Sequence, residues 1–138
     1  MTKFFLSVSA GFGSSDGVQN YEHAHGGLRV FGGSLQINGC PANQGGGALL
    51  CKGDRFEITG TAQTQWVRFD LSRDAPVDHA QMSEQISLPV SFGSAKVLLR
   101  MDEVKFPPSA VAYRHVHPGD GIRFLTLGEL RVIADDHE

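Results

Sequence analysis

Two histidines near the C-terminus are the residues of this chain best suited to chemistry. They lie in the run Tyr113-Arg114-His115-Val116-His117. In a β-strand successive side chains point to opposite faces, so His115 and His117 would share one face with Tyr113. Imidazole is a common ligand of Zn, Cu, Fe and Ni. Two rings on one face therefore predict a site for a transition metal or for a small ligand.

The strand that carries these histidines is expected to turn back at once. Pro118-Gly119-Asp120-Gly121 has the composition of a turn, because proline fixes φ and glycine accepts positive φ. The apolar run at residues 122–127 is typical of a returning strand. The histidines are thus predicted at the end of a β-hairpin.

This pattern resembles the first sequence motif of the cupins, small β-barrels whose signature is His-x-His, three or four residues, Glu, six residues and Gly. His115 and His117 match the paired histidines, and Gly128 matches the closing glycine when Gly121 is aligned with the glutamate. The preceding run Phe106-Pro107-Pro108-Ser109 is similar to the Pro-rich entry of many cupins. The resemblance implies an all-β jelly-roll barrel with a metal or small-ligand site at its mouth, but the glutamate ligand is missing.

A mononuclear Fe, Mn, Ni, Cu or Zn site needs at least three protein donors, and the C-terminal motif supplies two. The candidate third donors are His23 and His25, which form a second His-x-His pair, and Asp120 in the turn. Each has an alternative explanation: solvated histidines in a glycine-rich loop, and a turn aspartate bonded to its own backbone. A divalent metal held by His115 and His117 with His25 or His23 is one hypothesis. Hydrogen-bonded rings without metal are the other.

Arg123 and Tyr113 are the candidate substrate-binding residues. Arg123 lies two residues beyond Gly121, on the face where the glutamate would be, and a guanidinium there would hold a carboxylate or phosphate bidentately. A bulge at the glycines would instead expose it. Tyr113 would donate a hydrogen bond to a ligand or wall the cavity.

Two function classes follow from these residues. The first is a metal-dependent enzyme of dioxygenase or isomerase type that acts on a small organic acid. The second is a metal-free, non-catalytic barrel that binds an anionic small molecule. No serine or cysteine stands beside the histidines in a pattern typical of nucleophilic catalysis.

The N-terminal half resembles the second cupin motif, although it precedes the first. Gly45 is followed, after five residues, by Cys51-Lys52-Gly53 in place of Pro-x-Gly, and residues 66–71 match the strand that comes next. Phe56 and Gly60 stand where the third histidine and an asparagine would be. The reversed order implies a circular permutation or strand exchange between two chains of a homodimer. The alternative is that only the C-terminal hairpin is cupin-like.

Length and composition favour one all-β domain over residues 1–138. The 138 residues include 17 glycines and 6 prolines, which suits tight turns between short strands. The formal net charge of −3 gives no basic surface for nucleic acid or an anionic membrane. No run approaches the roughly 20 apolar residues that span a bilayer. A small-molecule ligand is the expected partner, in a cytoplasmic protein.

Local patterns predict the elements along the rest of the chain. Residues 1–10 favour a first strand over a secretory signal, residues 11–27 a glycine-rich loop, and residues 72–85 a polar connecting segment. Asn38-Gly39 is typical of a hairpin turn. Further strands are predicted at residues 28–31, 34–37, 55–59, 66–71, 86–92, 96–101 and 130–133.

Two smaller predictions concern side chains. In residues 66–71 apolar and other side chains alternate, which predicts two faces of a strand. The side chains predicted to face inward are Val67, Phe69 and Leu71, and those predicted to face outward are Trp66, Arg68 and Asp70. Cys40 and Cys51 fit no zinc or redox spacing and are predicted as reduced, buried thiols, with a disulfide between them as the alternative.

Overall fold

The structure, a computed structural model, describes residues 3–12, 17–21, 24–74, 82–93 and 96–133. These residues contain no helix, so none of them forms a helix able to cross a membrane. They form nine β-strands, which confirms the all-β prediction. The strands are β1 (Lys3–Phe12), β2 (Gly17–Tyr21), β3 (Ala24–Gly32), β4 (Ser34–Ile37), β5 (Cys40–Asn43), β6 (Gly47–Leu50), β7 (Asp54–Gly60), β8 (Gln65–Ser72) and β9 (Met82–Ser91).

The strands form two antiparallel sheets. The larger sheet has five strands in the order β6-β3-β8-β1-β9, and the smaller has four in the order β2-β7-β4-β5. A hydrophobic core lies between them, because side chains of β3, β6 and β8 pack in one cluster with side chains of β4 and β5. Its buried members are Leu28, Val30, Leu35, Ala42, Leu50 and Trp66.

Strand β8 is buried on both faces. Of the predicted inward set, Val67 and Leu71 are buried and Phe69 is half-buried. Trp66, Arg68 and Asp70 are also only 3%, 5% and 7% exposed. The prediction that this second set points to solvent is wrong. The reason is the position of β8 at the centre of a sheet whose two faces are covered, which leaves it no solvent side.

The face of the larger sheet that is turned away from the smaller sheet carries a second apolar cluster. Its members are neighbours on adjacent strands, since Leu6 lies opposite Leu71 and Phe4 lies opposite Val90. Ile122 packs against the cluster from the C-terminal segment, residues 96–133. This segment therefore covers part of the outer face.

The turn between β4 and β5 confirms its prediction. Ile37 pairs with Cys40, so the loop consists of Asn38 and Gly39, whose φ angles are 52° and 75°. Positive φ at both positions is typical of the type I′ turn that Asn-Gly favours. The Asn38 side chain also accepts a hydrogen bond from the Glu57 backbone N–H at 2.9 Å, which ties the turn to β7.

The turn after β6 is closed by its own residues. The Cys51 backbone N–H donates to Asp54 Oδ2 at 2.8 Å, and the Asp54 N–H donates to the Cys51 carbonyl at 2.9 Å. Cys51 and Cys40 are both free and both exposed. The prediction of free thiols is confirmed, and the prediction that they are buried is wrong because both lie beside turns.

Two segments predicted as loops contain strand. Residues 11–27 include β2 and the start of β3, and residues 72–85 include the end of β8 and the start of β9. Glycine content misled the first prediction. At Gly26 a Cβ would lie 2.3 Å from the Phe69 carbonyl oxygen, so this glycine permits close approach of two strands rather than a turn.

The C-terminal segment contains no strand. The strands predicted at residues 96–101, 113–117, 122–127 and 130–133, and the hairpin they were to form, are therefore wrong. A strand pattern needs a neighbouring strand to pair with its backbone, and both described sheets are built from residues 3–91 alone. Apolar side chains of the segment are exposed as a result, among them Leu98 at 85% and Val116 at 91%.

Candidate functional site

His115 and His117 lie side by side in the C-terminal segment. Their Nε2 atoms are 3.1 Å apart, and their ring centroids are 4.8 Å apart with the planes at 67°. The rings converge as the sequence predicts, although the backbone is not a strand. Both side chains are exposed, so the pair lies on the surface and outside both sheets.

A backbone hydrogen bond fixes the tautomer of His115. Its Nδ1 lies 2.7 Å from the Tyr113 carbonyl oxygen, and a carbonyl oxygen can only accept, so Nδ1 carries the hydrogen. In the neutral ring Nε2 then has a lone pair. That lone pair accepts a hydrogen bond from His117 or binds a metal ion. Metal-ligating histidines usually donate their other N–H to such an acceptor.

The spacing of the two nitrogens fits one shared metal ion. With metal–nitrogen bonds of about 2.0–2.1 Å, two imidazole nitrogens on one ion are about 2.9 Å apart at a right angle and about 3.4 Å apart at the tetrahedral angle. The 3.1 Å between the Nε2 atoms of His115 and His117 lies between these values. The two Nε2 atoms are therefore at a distance that lets them occupy two coordination positions of one metal ion.

The third donor predicted from the sequence does not join this pair. His25 lies in β3, where its Nδ1 accepts a hydrogen bond from the Lys52 backbone N–H at 3.3 Å. His23 lies outside the described residues. Within the part of the chain that the structure describes, no three His, Cys, Asp or Glu side chains are grouped closely enough to hold a metal. Asp120 therefore does not complete the site either.

No protein-family model, curated protein or solved structure matches this chain. The cupin resemblance stays a prediction from the motif residues His115, His117 and Gly128. Gly128 has a φ of 85°, a conformation that favours glycine in any motif. The all-β architecture is the part of the resemblance that the structure confirms.

Arg123 and Tyr113 have exposed side chains, like the two histidines. Arg123 is exposed, which was the alternative to an inward guanidinium. Its neighbours Ile122 and Phe124 are the half-buried residues, and the Phe124 ring lies 6.4 Å from that of Phe31. Tyr113 is 87% exposed and contributes its carbonyl, not its hydroxyl, to the histidine pair.

A cleft of about 300 Å³ lies beside His25, and we call it the basic cleft. Its lining residues are Phe4, His25, Lys52, Leu71, Arg73 and Asp74. The Arg73 guanidinium lies 5.8 Å from the centroid of the Phe4 ring, within cation–π range. Lys52 and Arg73 outnumber the single carboxylate of Asp74, so the basic cleft favours a small anion.

Sequence reasoning missed a polar cluster in the protein interior. Ser7 lies opposite Asp70 and Ser9 opposite Arg68 in the β1–β8 pair. These side chains share the face of Trp66, which is turned toward the smaller sheet. Arg68 Nε donates to Asp70 Oδ2 at 2.8 Å, with both side chains buried. We call Ser7, Ser9, Trp66, Arg68 and Asp70 the interior polar cluster.

Three atoms of the interior polar cluster have no hydrogen-bond partner within the described structure. They are the Oγ atoms of Ser7 and Ser9 and the Nε1 of Trp66. An unsatisfied buried polar group costs about 1–3 kcal/mol. The sequence does contain a sign of this cluster, because Ser7 and Ser9 in β1, and Arg68 and Asp70 in β8, are polar residues at alternate positions of otherwise apolar strands. The prediction that Arg68 and Asp70 point to solvent hid it.

An ion pair ties the C-terminal segment to the larger sheet. Arg29 of β3 donates through Nε to Glu103 Oε2 at 2.8 Å, and its Nη2 contacts the same oxygen. Lys105 Nζ lies 3.4 Å from the other oxygen. The hydrogen bond from Arg29, aided by the charges of Arg29 and Lys105, holds the pKa of Glu103 below its ordinary value of 4.5.

Proposed function

We propose that this chain is a cupin-type metal-binding protein in which His115 and His117 supply two of the ligands of one divalent transition-metal ion. The observation that carries the proposal is the 3.1 Å separation of their Nε2 atoms. The Tyr113 carbonyl supports it, because it keeps the Nε2 lone pair of His115 free of hydrogen. Imidazole suits Fe, Ni, Cu and Zn, and Mn accepts it beside oxygen ligands.

A small organic acid is the proposed ligand of this site. A bound ion supplies Lewis acidity and open coordination positions, which suit chemistry of dioxygenase or isomerase type. The two histidines leave these positions free, and their exposure gives a substrate carboxylate access. The Tyr113 carbonyl fixes the ring of His115 and so the direction of its Nε2.

A jelly-roll barrel of cupin type is the proposed architecture. Two antiparallel sheets of five and four strands with a shared core support it. Strand exchange in a homodimer would give the C-terminal segment the strand partners that its pattern and its exposed apolar residues call for, and circular permutation is the alternative. The free thiols of Cys40 and Cys51 support a cytoplasmic location.

The metal content of purified protein tests the proposed function. Protein prepared without chelator, or loaded with Fe, Mn, Ni, Cu or Zn and then desalted, is expected to retain one ion per chain by elemental analysis. The His115→Ala/His117→Ala variant should lose this metal, and the His25→Ala variant should keep it. Wild-type protein that retains no metal after loading would contradict the proposal.

Metal-free binding of a small anion is the second candidate function, and the basic cleft favours it. Its cationic residues Lys52 and Arg73 would bind a carboxylate without a metal. Chelator-treated protein should then bind citrate or succinate in a calorimetric titration, and Arg73→Ala should weaken that binding while His115→Ala leaves it unchanged. Anion binding that vanishes with the metal would favour the first function.

A further inference from the structure

We propose that the interior polar cluster is a binding site for a small neutral molecule that carries several hydroxyl groups. The cluster lies between the two sheets, and the histidine pair lies outside both sheets. The proposal is therefore independent of the proposed metal function.

Register places the three unsatisfied atoms in a row on one face of the larger sheet. Successive cross-strand positions on this face of β1 and β8 hold Ser7 with Asp70, Ser9 with Arg68 and Gly11 with Trp66. A Cβ at position 11 would lie 2.2 Å from Cε2 of Trp66, so the indole ring covers this glycine. The indole nitrogen is bonded to Cε2 and therefore lies close to Gly11, two residues along β1 from Ser9. Positions two residues apart on a strand are about 7 Å apart, so Ser7, Ser9 and the indole over Gly11 form a row that an extended molecule with several hydroxyl groups would span.

Packing alone does not explain the hydroxyl groups of Ser7 and Ser9. Ser7 and Ser9 are each 1% exposed and lack a partner within the described residues, whereas Ser72, on the same face, donates to the Asp74 carbonyl at 2.7 Å. Alanine would fill the first two positions without burying an unsatisfied hydroxyl. A buried hydroxyl that no neighbour satisfies indicates a partner that is not part of the chain, either water or a ligand.

Charge selects the class of ligand. Arg68 and Asp70 balance each other in a buried ion pair, so the cluster carries no net charge that would attract an anion or a cation. The unsatisfied atoms are one obligate donor, Trp66 Nε1, and two hydroxyls that both donate and accept. A neutral molecule with several hydroxyl groups, such as a polyol or a monosaccharide, matches this set.

The single tryptophan of the chain gives the experiment its probe. Its indole N–H resonance reports on one of the three unsatisfied atoms directly. We would titrate ¹⁵N-labelled full-length protein with D-glucose, D-mannose, myo-inositol and erythritol. A saturable shift of the Trp66 resonance with at least one of them supports the proposal. No saturable shift with any of them, or an indole N–H that contacts only water, overturns it.

Two serine variants show whether such binding uses the cluster. Ser9→Ala is expected to weaken binding about tenfold because it removes a hydrogen bond to the ligand. Without ligand it should melt at or above the wild-type temperature, since no internal partner is lost. Ser72→Ala, the matched control, should keep the affinity and melt lower. Unchanged affinity in Ser9→Ala, or a melting temperature lowered as in Ser72→Ala, would overturn the proposal.

Discussion

Gly26 of β3 lies directly opposite Asp70 of β8, and the Asp70 carboxylate occupies the space that a side chain at position 26 would need. A Cβ there would be 2.5 Å from Asp70 Oδ1 and 2.3 Å from the Phe69 carbonyl oxygen. The glycine thus makes room for the buried ion pair between Arg68 and Asp70, around which the interior polar cluster is arranged.

Gly26→Ala is expected to lower the free energy of unfolding by about 1–3 kcal/mol, because the added methyl group meets backbone that cannot move aside cheaply. Urea denaturation measures the loss. Gly93→Ala is the matched control, since a Cβ at Gly93 meets nothing within 4 Å. Equal stability of the two variants would show that β3 and β8 can separate freely, contrary to the close approach described above.

Asp70→Ala should lower the free energy of unfolding by about 3–5 kcal/mol, since it removes the carboxylate that balances a buried guanidinium. The chain offers a matched control in Asp102→Ala. Arg100 and Asp102 have the same spacing in sequence and a 2.7 Å contact, but their side chains are 72% and 54% exposed, so the loss there should be below about 1 kcal/mol. Similar losses in chemical denaturation would contradict the burial of the Arg68–Asp70 pair.

The ion pair of Arg29 and Glu103 should make stability depend on pH. The folded state lowers the pKa of Glu103, so the stabilisation is fully present above the ordinary value of 4.5 and is lost as pH falls through the lowered pKa. Wild type is expected to melt above Glu103→Gln at neutral pH, with a difference that disappears as pH falls below 4.5. High salt should also reduce it. A difference that persists in acid would rule out this carboxylate as its source.

Several local features could be predicted because they depend on neighbouring residues alone. Asn38 and Gly39 form the expected hairpin turn, since their tolerance of positive φ is a property of the residues themselves. The first strand and the pairing of Ile37 with Cys40 across this turn could also be predicted from the local sequence. The convergence of His115 and His117 is predicted from their spacing of two residues, although the backbone there is not a strand.

The remaining features depend on distant contacts that no local pattern contains. Arg68 and Asp70 alternate like solvent-facing residues, and only the central position of β8 buries them. Gly26 marks a close approach to β8, although glycine content alone predicts a loop. The C-terminal segment has the alternating pattern of a strand, but no described strand pairs with it, so it does not form one.

Whether His115 and His117 share one ion is tested most directly by titrating metal-free, ¹⁵N-labelled protein with Zn²⁺ and following the histidine ring nitrogens. We expect the Nε2 resonances of both residues to shift together and saturate at one ion per chain, while Nδ1 of His115 keeps its proton and its bond to Tyr113. The ring nitrogen resonances of His25 should not shift. A shift at only one of the two Nε2 atoms, or at neither, would contradict the proposed metal site.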